Sequence, residues 1–156
     1  MTLRAAFAAL ISLLLVAPFA SASASTTAIG SFNGTVVITS VRQTGGNTII
    51  TAIETQTLTG FLSGTRVAVG VEIVHPDGTF NAHDTGTFMG TVNGRSGTVV
   101  ITGSASGLGN IGSGQLVVEQ GTAGLAGLRA QATFQPPVTG PTTTAGTYSV
   151  KFHFEP

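Results

Sequence analysis

The residues best suited to metal ligation or to proton transfer near neutral pH are three histidines, His75, His83 and His153. No two of them fall two or four residues apart on one element, as a local metal motif requires, so the sequence gives no metal site and implies no cofactor. Cysteine is absent, which removes disulfides, thiolate ligands and a lipoprotein anchor. His83 stands beside Asp84, but neighbours on a strand point to opposite faces, so the two do not read as a dyad. His75 reads as a strand-end residue before a turn and His153 as solvent-facing.

Hydroxyl nucleophiles are abundant, yet none carries the signature of activation. Gly94-Arg95-Ser96-Gly97 lacks the strand-to-helix elbow that exposes a catalytic serine, so Ser96 reads as a turn residue. The glycines of 121–127 are not closed by Gly-Lys-Ser/Thr and no helix follows, so they do not read as a phosphate cradle. Ligand binding has four candidates: Arg95, Arg129, Tyr148 and Glu54. Each arginine sits at the edge of a glycine-rich turn, where a guanidinium fork could hold a carboxylate; the favoured alternative has Arg95 fixing its own hairpin. Glu54 could point inward as a cavity acid. Glu72 lies on the strand face opposite a row of valines and is expected to be solvated.

Charges are few and scattered singly. Beyond Arg4 the basic residues are Arg42, Arg66, Arg95, Arg129 and Lys151, set against Glu54, Glu72, Asp77, Asp84, Glu119 and Glu155. No stripe exists to track a phosphate backbone, so a nucleic-acid partner is not expected.

The elements that must position these residues are strands. Period-2 alternation dominates, and strong helix formers never recur at helical spacing for long. Val67, Val69, Val71 and Ile73 share one face of a run whose other face is Arg66, Ala68, Gly70 and Glu72, and the valines are expected inside. At the C-terminus, Tyr148, Val150, Phe152 and Phe154 alternate with polar residues and are also placed inside. Pro76-Asp77-Gly78 and Asn93-Gly94 are tight-turn signals that anchor two hairpins. With further glycine breaks, strands are expected near 32–42, 47–59, 64–75, 79–92, 97–106, 111–120, 127–135 and 146–155, with a long Pro/Thr-rich loop from Gln135 to Gly146.

About eight mostly antiparallel strands with no covering helix must close on themselves or pack as two sheets; small residues opposite larger ones favour a barrel. A membrane-spanning barrel would need aromatic girdles, and the chain has one Tyr and no Trp. Ahead of the strands, the charge-free apolar run Ala5 to Ala20 after Arg4, then Pro18 and small-x-small sites around residues 20–24, reads as a secretory signal peptide over 1–24. Residues 25–156 are then one exported barrel domain, secreted or periplasmic, with no stable membrane insertion after cleavage.

Gly90-Thr-Val-Asn-Gly-Arg-Ser-Gly-Thr-Val-Val, Gly121-Thr-Ala-Gly-Leu-Ala-Gly-Leu-Arg and Tyr148-Ser-Val-Lys-Phe-His-Phe-Glu155 together resemble the bacterial family known as domain of unknown function 3224. Thr57-Leu-Thr-Gly-Phe-Leu-Ser-Gly-Thr65 and the Pro76-Asp77-Gly78 turn fit the same order, so the likeness covers nearly all of the chain after the leader. The resemblance implies an all-β barrel like that of allene oxide cyclase and dirigent-type proteins, often a homo-oligomer, and it implies no activity. It also implies an acid on the strand entering the Gly-Arg-Ser-Gly hairpin and a histidine on the strand leaving it. Counted from Arg95, this sequence has Gly86 and Gly103 there, which points to a binding or structural member.

The functional expectation is therefore a non-enzymatic barrel that binds a small apolar molecule or assembles with its own copies. The alternative is an isomerase- or cyclase-like enzyme acting on an apolar substrate inside the barrel. An open pocket of a few hundred cubic ångströms with at least two polar side chains would favour the enzyme. An interior filled by Val, Ile and Phe would leave only assembly.

Overall fold

A computed structural model describes residues 25–135 and 142–155. The expected signal peptide lies outside the described residues. Eight strands follow one another: β1 (Thr26–Thr44), β2 (Asn47–Gly60), β3 (Leu62–Val74), β4 (Thr79–Val92), β5 (Arg95–Leu108), β6 (Ile111–Gly121), β7 (Leu128–Gln135) and β8 (Thr143–Phe154). A short 3₁₀ turn, η1 (Ala123–Leu125), joins β6 to β7. Every neighbouring pair is antiparallel, and β8 returns to β1 to close the barrel in the order β1 to β8. Closure lets β1 and β8 cover each other's edge from Thr26↔Phe152 to Thr35↔Thr143.

The turns follow from local chemistry. Asn93 and Gly94 both take positive φ, 50° and 77°, as the two-residue hairpin between β4 and β5 requires. At the β3–β4 turn, Asp77 Oδ1 accepts the Thr79 N–H at 2.9 Å and the Thr79 hydroxyl at 2.7 Å, while Gly78 supplies φ 82°. The expected loop from Gln135 to Gly146 is shorter at its far end. Thr143 to Gly146 already pair with β1, Thr35↔Thr143 through Phe32↔Gly146, because β1 is long enough to carry a partner there.

The two ends of the barrel differ. Around the β2–β3, β4–β5 and β6–β7 connections the interior is solid, with Leu58, Leu62, Phe88, Val92, Val99, Ile101, Leu128, Val150 and Phe152 in one buried cluster. Here η1 folds inward and buries Leu125 completely. Gly97 makes this approach feasible, since a Cβ there would lie 3.0 Å from Leu125 Cγ. Tyr148, Val150 and Phe152 are buried as the alternation of β8 requires.

On β3 the expected facing is reversed. Arg66 and Ala68 are 1 % and 2 % exposed, whereas Val67 and Val69 are 48 % and 56 % exposed. The pairing explains why: Arg66 lies opposite Phe88, and Val74 opposite Phe80, so β3 must turn inward the face it shares with the buried phenylalanines of β4. Small side chains then line mid-barrel positions, and Val67 and Val69 stand on the outside.

Candidate functional site

That reversal hollows the other half of the barrel. A cavity of about 570 Å³ opens toward the β1–β2, β3–β4 and β5–β6 turns, walled by Phe32, Val36, Ile38, Ile50, Ala52, Ala68, Gly70, Phe80, Ala82, Leu116 and Phe134. The volume suits a small molecule. Alanines and glycines at the centres of β2, β3 and β4 leave the space that valines would have filled.

Across the inner part of this lumen runs a connected set of polar side chains from β4, β3, β2 and β8. The Arg66 guanidinium forks onto Asp84, with Nη2 against Oδ1 and Nη1 3.4 Å from Oδ2. Arg66 Nη1 also donates to Gln56 Oε1 at 3.3 Å. Gln56 Nε2 donates to Glu54 Oε1 at 3.0 Å, and the Thr144 hydroxyl donates to the same oxygen at 2.6 Å. Arg66 Nε is buried with no partner among the described residues.

Glycines make room for this chain. A Cβ on Gly103, which pairs with Asp84, would lie 2.6 Å from Asp84 Oδ1. Gly34 pairs with both Gln56 and Thr144, and its bare backbone lets β8 reach Glu54 across β1. The acid that the family resemblance implies is missing at Gly86, yet Asp84 supplies one two residues earlier on the same face. Gly103 stands where the histidine was implied.

Glu72 lines the cavity nearer its mouth. Burial pushes its carboxyl above the usual carboxylate range, and it lies on the lumen face with Ala68, where solvation had been expected. The reason is again the hairpin register, which pairs Glu72 with Ala82 and Ile50, both of which border the lumen.

Of the four ligand-binding candidates, the structure brings Glu54 and Tyr148 to the lumen and leaves Arg95 and Arg129 outside it. Tyr148 is a pin between strands. Its hydroxyl accepts the Leu62 N–H at 2.8 Å and donates to the Thr59 carbonyl at 3.1 Å, and burial raises its pKa while the Leu62 bond lowers it. Arg95 lies over the Phe154 ring, 4.1 Å from the centroid, at the solid end. Arg129 pairs with Glu155 at 2.8 Å on the outer surface, which raises the pKa of the arginine and lowers that of the glutamate.

Sequence reasoning missed Arg66, Asp84 and Gln56. The signal was present in the hairpin: the Pro76-Asp77-Gly78 turn sets Gly70 opposite Asp84, which places Arg66 on the face shared by Phe80 and Phe88. The histidines stay apart. His75 bridges Asn47 at 3.1 Å and Asn81 at 3.0 Å, and His83 is exposed. Among the described residues no three His, Asp or Glu side chains gather as a metal would need.

No family model matches the sequence, and no curated protein is detectably similar to it. A solved structure is similar: a protein of unknown function from the DUF3224 family of Shewanella oneidensis MR-1, with a TM-score of 0.71 and 19 % identity over 85 % of this chain and 100 % of that one. At that identity the likeness establishes a common fold.

Proposed function

We propose that the chain belongs to the domain of unknown function 3224 family and is a non-enzymatic container for a small, mainly apolar molecule with one polar end. The observation that carries this reading is the lumen: about 570 Å³, apolar along its walls, with a polar chain from Asp84 to Thr144 at its inner part. An apolar body would bury against Phe32, Ile50, Phe80 and Phe134, and the polar residues would orient its head. The structural neighbour and the Gly94-Arg95-Ser96-Gly97 hairpin support the family reading.

Native mass spectrometry of protein purified from its producing cell tests the container. A retained mass of a few hundred daltons, lost when the lumen is filled by Ala52→Phe, is the expected result. Wild-type protein that carries no cargo and takes up no apolar compound would overturn it.

A second reading, an isomerase- or cyclase-like enzyme, is favoured by the lumen having the form expected of one, an open space of about 570 Å³ bordered by more than two polar side chains, Glu54, Glu72 and Asp84 among them. Against it, Asp84, Arg66, Gln56 and Glu54 use one another as partners, and the one hydroxyl seen on a lumen carboxylate among the described residues, that of Thr144 on Glu54, belongs to the same closed chain. Recovery of the bound compound unchanged after prolonged incubation favours the container; steady conversion to an isomer favours the enzyme.

A further inference from the structure

We propose that the lumen selects cationic amphiphiles, molecules with an apolar body and a protonated amine, over the corresponding alcohols and carboxylates. The inference rests on the container reading and adds the charge of the ligand. Three carboxylates, Glu54, Glu72 and Asp84, border the cavity, against a single lumen cation, Arg66. That cation is committed to its neighbours. It is 1 % exposed, its two Nη atoms are engaged by Asp84 and Gln56, and its unpartnered Nε is sealed from the cavity, so it has no open fork to offer an incoming anion.

The other arginines and the lysine stand away from the lumen, and His83 borders it from an exposed position. Arg95 stacks on Phe154, Arg129 pairs with Glu155, Lys151 is exposed, and Arg42 pairs with Ile49 on the strand face opposite Val41 and Ile50. The acids are less fully occupied. Glu54 receives both of its hydrogen bonds on Oε1, and Glu72 has no hydrogen-bond or ion-pair partner among the described residues. An ammonium group has three donors and no acceptor, which matches acceptor-only carboxylates. A carboxylate ligand would add a fourth negative group to a desolvated space. The apolar walls supply most of the affinity and the acids choose the head group.

The test is displacement of a neutral fluorescent probe, N-phenyl-1-naphthylamine, by octylamine, octanol and octanoate at pH 7 and low salt. Octylamine is expected to displace the probe at a concentration about tenfold lower than octanoate, with octanol between them. Glu72→Gln and Glu54→Gln should each narrow the gap between amine and acid, read in each variant as the ratio of the two displacing concentrations. Glu72→Gln is the safer variant, because it removes no bond of the inner chain. Octanoate binding as well as octylamine, or a gap that neither variant changes, would overturn the selectivity. Failure of the probe itself to bind would instead overturn the container reading, so the two failures are distinguishable.

Discussion

Arg66 and Asp84, eighteen residues apart and on adjacent strands, meet as a forked ion pair inside the barrel, with the arginine sealed and the aspartate bordering the cavity. Taking such a pair out of water is costly, and the mutual attraction returns that cost only when the geometry holds both groups. Here Gln56 and the bare backbone of Gly103 hold it. The pair thus fixes the inner limit of the cavity.

Removing one partner should be far worse than removing both. Asp84→Ala is expected to destabilise by about 3–5 kcal/mol, since it strands a buried guanidinium, whereas Arg66→Met with Asp84→Leu should recover most of that loss. Urea denaturation of the three variants gives the comparison. A near-neutral Asp84→Ala would contradict the pairing.

The facing of β3 is open to an equally direct check. Lysine at Val69 should change stability by no more than about 1 kcal/mol, because that side chain already stands in solvent. Lysine at Ala68, 2 % exposed, should prevent folding or lower the midpoint sharply. The opposite ranking in thermal melts would restore the valine-inward arrangement.

Tyr148 stitches β8 to the β2–β3 corner by passing over Gly30, where a Cβ would lie 2.1 Å from its hydroxyl. Tyr148→Phe leaves the buried Leu62 N–H without its acceptor and should lower stability by about 1–3 kcal/mol. Gly30→Val should do at least as much harm by displacing the ring. Faster hydrogen exchange at the Leu62 amide in Tyr148→Phe would confirm the route of the loss.

Glu72 gives the barrel a pH signature. Burial raises its folded pKa above the unfolded value, so the folded state holds this proton more tightly. Its contribution is fully favourable below the unfolded pKa and is lost as pH rises through the folded one. Glu72→Gln should therefore be more stable than wild type at neutral pH, with the difference shrinking as the medium becomes acidic. Denaturation midpoints of both proteins between pH 4 and 7 test this.

The strands and turns were legible because their signals are local. Period-2 runs ended by Asn93-Gly94 or Pro76-Asp77-Gly78 leave little freedom, and eight strands without a covering helix have to close. Facing was not legible from β3 alone, where the bulky apolar row is the outer one. In a hollow barrel the small residues, Ala68 and Gly70, must face in to leave space, and hydrophobicity by itself ranks them behind valine. Hairpin register corrects this, since Phe80 and Phe88 declare which side of β4 is buried and the turn transfers that choice to Arg66. The reach of Thr144 to Glu54 had no comparable signal. It depends on the closure of β8 onto β1 and on Gly34 lying between them.

Titration of the wild-type protein with N-phenyl-1-naphthylamine, alongside Ala52→Phe inside the lumen and Val69→Phe outside it, tests the hollow barrel most directly. One saturable probe per chain, lost in Ala52→Phe and kept in Val69→Phe, is the predicted result. Binding that survives Ala52→Phe but disappears in Val69→Phe would place the apolar site on the outer wall and contradict the account.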